Sequence, residues 1–304
     1  MNNSAQARSW RSIGERGSAR LLALTVWIAL RLGRAPARLL VYPIAFYFYC
    51  TAPSQRRASR EFLRRALGHE PQPRDSWRQF LFFALTTLDR VYFLGGRTAG
   101  FDLVRDDVDG VLTQPPVRGC VLLMSHLGVF DLLRAAGRDD VAKVSIVMDR
   151  GQGPAITALF EQLDPALAAR VIDAALPGPQ MALAVKHAVD EGAFVGIMAD
   201  RVFNVQRTVT CRVLGAQVVL PAGAYWLASA LRVPLIVAFG LYEGGRRYRA
   251  HFEFLDVSGA PVDRAARVAC LAQRYADRLT EFATRYPYNW FNFYDFFGDA
   301  AAGD

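Results

Sequence analysis

The chain has 304 residues, enough for one large domain or two small ones with a substantial core. It is 52% hydrophobic and 21% charged, which excludes a disordered chain. The net charge of +8 is unevenly placed: residues 1–65 hold twelve arginines against Glu15 and Glu61, a local +10, so residues 66–304 sum to −2. A nucleic-acid partner is disfavoured, because its binder should carry the positive field on the folded body. A basic, apolar N-terminal region joined to a near-neutral body is instead the pattern of an anionic membrane surface.

Two apolar runs, 21–30 (LLALTVWIAL) and 39–52 (LLVYPIAFYFYCTA), dominate that region. Each is shorter than the ~18–20 residues a helix needs to cross a bilayer. Between them Arg31, Arg34 and Arg38 share one helical face, and Gly33 and Pro36 are natural breakers. A tilted span with snorkelling arginines, a helical hairpin in one leaflet, and a pair of core helices all remain open. The aromatics of 42–49 (YPIAFYFY) suit a membrane interface. We read 1–65 as a membrane-associated helical region and 66–304 as an α/β domain.

After residue 65 an amphipathic helix is expected over 77–94. Strand candidates follow at 119–125, 143–148, 193–199, 235–241 and 248–257, and helices near 127–136, 179–189, 222–231 and 263–285. Continuous apolar strands alternating with helices predict a mostly parallel sheet flanked by helices, with ligands at the strand carboxyl ends. Cys50, Cys120, Cys211 and Cys270 lie far apart, without the spacing of a zinc site or a disulfide framework. No dinucleotide glycine fingerprint, P-loop, G-x-S-x-G elbow or H-E-x-x-H occurs, so no metal or cofactor is expected.

Of the four histidines, His126 stands where an apolar strand gives way to a helix, and Asp131 follows five residues later (SHLGVFD). If His126 lies before the helix, Asp131 can hold one imidazole nitrogen and raise the basicity of the other. That is a base with its orienting acid but no serine, suited to activating a substrate hydroxyl. His251 and Asp256 repeat the spacing inside an alternating strand, where residues five apart face opposite sides, so that copy reads as structural.

These residues resemble the lysophospholipid acyltransferase superfamily, and within it the late acyltransferases of lipid A biosynthesis. His126 and Asp131 match its motif of histidine, four residues and an acid, and 192–201 (GAFVGIMADR) resembles the later strand and acidic turn of the acceptor site. Residues 233–236 (VPLI), the basic apolar N-terminus and the closing 286–293 (YPYNWFNF) are also similar to bacterial members, in the same order. The lipid A enzymes usually carry glutamate at the place of Asp131, and the phospholipid branch a Glu-Gly-Thr-Arg turn at the place of Ala199-Asp200-Arg201.

The resemblance implies acyl transfer from a thioester of acyl carrier protein, or of coenzyme A, to a hydroxyl of a lipid A-like glycolipid. A phospholipid, an ornithine-type lipid or a polyene glycolipid are alternative acceptors, and a catalytically silent lipid-binding protein is the alternative outside enzymes. It implies His126 as general base oriented by Asp131, and Arg150, Arg170, Asp200 and Arg201 at the substrate, with Arg207 and Arg212 as further phosphate or carrier contacts. Backbone N–H groups at the helix start after His126 are the expected oxyanion donors. The implied location is the bacterial inner membrane, with the catalytic domain facing the cytoplasm.

Overall fold

A computed structural model describes residues 19–136, 143–149, 161–202 and 207–298. Four helices come first: α1 (Ala19–Leu32), α2 (Arg34–Thr51), α3 (Pro53–Leu67) and α4 (Pro73–Leu94). Gly33, at φ +92°, separates the first two. Gly68 ends α3 in the left-handed conformation, and α4 opens on a Gln72/Asp75 capping box with Pro73 in its first turn.

The body then runs β1 (Asp102–Asp107), β2 (Cys120–Met124), α5 (Phe130–Ala136), β3 (Val144–Met148), α6 (Pro165–Ala168), β4 (Val171–Asp173), α7 (Gly178–Asp190) and β5 (Phe194–Met198). It continues through β6 (Thr208–Val213), β7 (Ala216–Pro221), α8 (Gly223–Leu231), β8 (Leu235–Gly244), β9 (Arg247–Phe254) and α9 (Arg264–Arg285). Seven strands form one sheet in the order β1-β9-β8-β2-β5-β3-β4, parallel at every junction except the β8/β9 hairpin. The fold is α/β, a mostly parallel sheet flanked by helices.

All five expected strands are present. Four others carry weak signals: β1 (DLVRDD) is a polar edge, β4 is three residues long, and β6/β7 pair as a separate antiparallel hairpin. That hairpin turns on Leu214 and Gly215, both at positive φ, the pair of conformations a two-residue loop needs.

Every residue of β2 is buried, and its pleat feeds two cores. Val121 and Leu123 join Phe62 and Leu63 of α3 with residues of α7, α8 and α9, whereas Leu122 and Met124 join Val41 of α2 with residues of α4 and α5. The helices of the N-terminal region therefore share the sheet's core on both faces.

Helix α2 is pinned to this body by charge. Arg34 donates to both carboxylate oxygens of the fully buried Asp89 (2.7 and 2.6 Å), and Tyr248 Oη donates to the same carboxylate (2.7 Å). Arg34 and Arg38 both donate to the Gly245 carbonyl in the β8/β9 turn. The body side of α2 is a stripe of Ala37, Val41 and Ala45, while Leu39, Tyr42, Phe46 and Tyr47 are exposed. Its larger apolar side chains thus point outward. Among the described residues no helix is long and apolar enough to cross a membrane.

His251 is structural, but its partners are Asp106 of the edge strand β1 (2.8 Å) and Glu253 (3.2 Å), not Asp256. Burial disfavours the charged ring, yet Glu253 and Asp106 outweigh it and raise its pKa above the usual 6.5. Such a group adds stability that is full below 6.5 and is lost as pH rises through the folded-state value.

Two outcomes are expected. In denaturant titrations Arg34→Ala, which strands the Asp89 carboxylate in the core, should cost about 3–5 kcal/mol, against less than about 0.5 kcal/mol for the exposed Arg31→Ala. Thermal melts between pH 6 and 9 should show a decline with pH that His251→Gln flattens; an unchanged slope in that variant would contradict the raised pKa.

Candidate active site

Strands β2 and β5 are parallel neighbours with Met124 opposite Met198, and Ala199 N–H continues the ladder to the Met124 carbonyl (2.8 Å). Two residues further on, that register sets His126 level with Asp200. From this point the chain leaves in opposite directions, since β2 leads to β3 beyond β5, while β5 leads, through the hairpin, to β8 beyond β2. The pair sits at the strand carboxyl ends, at the crevice of a topological switch point.

Asp200 is fully buried and His126 keeps a 28% exposed side chain. The His126 N–H donates to Asp200 Oδ2 (2.9 Å), and the ring Nδ1 lies 3.0 and 3.1 Å from the two carboxylate oxygens. Asn292 Nδ2 donates to Asp200 Oδ2 (2.9 Å), and its Oδ1 accepts from Arg201 Nε (2.6 Å). Arg201 lies 5.3 Å over the ring of Tyr294, and Phe291 N–H donates to the His126 carbonyl (2.8 Å).

Burial alone would raise the Asp200 pKa, but the His126 ring and the Arg201 cation outweigh it and hold it below the usual carboxylate value. Burial and the Arg201 charge depress His126 below 6.5 despite the pull of Asp200. At neutral pH the ring is therefore neutral and Asp200 ionised. An ionised carboxylate can only accept, so Nδ1 carries the proton and Nε2 the lone pair. Nε2 has no protein partner among the described residues.

Glycines route the chain after His126. A Cβ on Gly128 would stand 2.0 Å from the Gly240 carbonyl oxygen, and one on Gly240 2.1 Å from that of Val129. The close approach lets residues 127–129 run between β8 and the closing segment, and helix α5 starts only at Phe130. Its cost is that the nearby donors are used. Leu127 N–H goes to Ser125 Oγ, Gly128 N–H to the Asn289 carbonyl and Val129 N–H to the Gly240 carbonyl. Those three amides, which precede the helix start, are not free for an oxyanion.

The expected orienting acid is also elsewhere. Asp131 lies in the first turn of α5, buried, and accepts from Arg90 Nε of α4; no hydrogen bond or ion pair joins it to His126. The intervening residues carry it off along α5, while the β2/β5 register supplies Asp200. The Arg90 guanidinium lies 5.1 Å over the Phe130 ring.

Asp200 and Arg201 are thus beside His126. Arg170 is not: it is exposed before β4, two strands from β5 and level with Val195, roughly 15 Å back along the strand direction. Arg150 lies outside the described residues. Arg207 is exposed over Trp226, and Arg212 sits on the β6/β7 hairpin. Sequence reasoning missed Arg90 and Asn292. Asp89 and Arg90 are the only charges between residues 79 and 94, and Asn292 interrupts an aromatic run, which were the available signals. Among the described residues no three His, Cys, Asp or Glu side chains could hold a metal ion.

Compared with known proteins, the sequence matches no protein-family model and no curated protein. Its chemistry rests on this geometry and on the residue patterns above.

Gly240→Ala should melt far below the wild type, because its Cβ meets backbone rather than a mobile side chain. Gly223→Ala, with nothing within 4 Å, should stay within about 1 kcal/mol. Equal melting temperatures would refute the close approach.

Proposed function

We propose that the chain is a membrane-surface O-acyltransferase that moves a fatty acyl chain from an acyl thioester to a hydroxyl of a lipid. The observation that carries this reading is His126, neutral, with Nδ1–H held by an ionised Asp200 and Nε2 open. Among the described residues no serine or cysteine is bonded to Nε2. The neighbouring Ser125 is buried with its Oγ accepting from Leu127 N–H, and burial pushes up the thiols of Cys120 and Cys211. The hydroxyl to be deprotonated therefore comes with the substrate.

In this mechanism Nε2 takes the acceptor hydroxyl proton as the oxygen attacks the thioester carbonyl carbon. Asp200 stabilises the imidazolium that forms. The tetrahedral intermediate collapses, the new C–O ester bond remains, the C–S bond breaks, and the proton passes from Nε2 to the leaving thiolate.

A lipid substrate is supported by a chain of aromatic contacts. Phe46 meets Trp77 (6.0 Å), Tyr49 meets Trp77 and Phe80 (5.7 and 5.4 Å), Phe80 meets Phe293 (4.7 Å), and Phe83 meets Phe293 and Phe291 (5.4 Å each). It runs from the exposed face of α2 to the residue bonded to His126. With the +10 of residues 1–65, that outward apolar face favours α1 and α2 lying in an anionic bilayer surface. The sequence resemblance points to acyl carrier protein as donor, a lipid A-like glycolipid as acceptor, and the cytoplasmic face of the bacterial inner membrane.

The test is transfer from acyl carrier protein thioesters to a panel of purified lipids in vesicles. The wild type should turn over, His126→Ala should lose about 10²–10⁴-fold in kcat, and kcat/KM should rise with pH to a plateau with an apparent pKa below 6.5. A His126→Ala variant as active as the wild type would overturn the reading.

A further inference from the structure

We infer that the two buried acids near His126 have separate tasks: Asp200 orients the base, whereas Asp131 is a positioning residue that holds Arg90 as the donor to the thioester oxyanion. This rests on the acyl-transfer reading for its second half only.

The tetrahedral step places a full negative charge on the former carbonyl oxygen, and that charge needs donors fixed before reaction. The amides of residues 126–129 are already engaged. Arg201 is committed to its wall of the site, with Nε on Asn292 Oδ1 and Nη2 on the Phe291 carbonyl. Arg90 differs. Only its Nε is bonded, to Asp131, and neither Nη1 nor Nη2 has a protein partner among the described residues. Its plane is fixed from two sides, by the buried Asp131 carboxylate and by the Phe130 ring. Its side chain is 19% exposed, so the remaining donors can reach a substrate. Its charge acts on His126, where it is among the groups that lower the ring's proton affinity.

A fork held by one nitrogen leaves two N–H-bearing nitrogens for an oxyanion, which a lysine ammonium at the same place cannot present in that geometry. The atoms balance as in the transfer step above: Arg90 donates hydrogen bonds to the oxyanion and keeps its protons throughout. A spacing of histidine, four residues and an acid is then needed because it sets the oxyanion donor, not because the acid touches the histidine.

The experiment has an arm that needs no activity. With only four histidines, His69, His126, His187 and His251, the full-length protein labelled with ¹⁵N-histidine gives assignable ring nitrogens, His126→Gln identifying one set. Asp131→Asn should leave the Nδ1–H tautomer of His126 intact, and Asp200→Asn should abolish its dominance. In the transfer assay Asp131→Asn and Arg90→Ala should each lower kcat by about 10²–10³-fold. The double variant should be little worse than Arg90→Ala, and the pH at which kcat/KM reaches its plateau should move little beyond the loss of one nearby charge. Arg90→Lys, which keeps the charge in α4, should recover only part of kcat, and it carries the test if Asp131→Asn does not fold. A His126 tautomer that changes in Asp131→Asn as in Asp200→Asn, or full kcat in Arg90→Ala, would overturn the assignment. No turnover by the wild type with any thioester would remove the acyl-transfer reading and the oxyanion role with it; the tautomer data would still decide which acid orients His126.

Discussion

The register between β2 and β5 is the constraint on which the site depends. Met124 opposite Met198 puts residues 126 and 200 at the same height on adjacent parallel strands, where side chains two positions beyond the last ladder pair can meet. A slip of one strand by one residue would turn its side chain to the opposite face and separate the dyad. That register is itself held by complete burial of β2, whose alternate residues are committed to different cores. The apolar packing of the sheet and the geometry of the polar site are thus one constraint.

Around this frame, buried carboxylates meet guanidinium groups from distant parts of the chain. Asp89 meets Arg34, Asp131 meets Arg90, and Asp200 is joined through Asn292 to Arg201. In the first two the guanidinium bonds directly to an acid that would be costly to bury alone, and in the third an amide stands between them. The first pair fastens the N-terminal helices to the body. In the third, burial and the Arg201 charge keep His126 neutral, and the His126 ring together with Arg201 holds Asp200 ionised. The closing segment completes this wall: Asn289, Phe291 and Asn292 bond on either side of the pair.

Helix α2 shows the opposite economy. Its contact stripe uses small residues, Ala37, Val41 and Ala45, which let it lie close on the body, and its bulky apolar residues are left outside. In water that arrangement leaves a large apolar area unsatisfied, whereas in the surface of a bilayer the same side chains are buried. The aromatic contacts that lead inward from it continue to the peptide group beside His126.

Much of this was legible in the residues alone. Apolar runs of strand length bounded by turns are a local property, so the five main strands and the helices between them could be read directly, as could the placement of His126 at a strand end. The weak strands could not, because β1 and β4 owe their conformation to a neighbour's edge rather than to their own pattern. The same limit applied to the site. Spacing along the chain selected Asp131 for His126, being only five residues away, but proximity in sequence does not direct a carboxylate once residues 127–129 are bonded to β8 and the closing segment. Asp200, Asn292 and Arg90 reach the site from residues 74, 166 and 36 positions away from His126. Residue chemistry alone determined that a strand-end histidine would need a buried acid; which acid it received was decided by the tertiary structure, because strand register and the close packing of Gly128 on Gly240 exist only when the sheet is assembled.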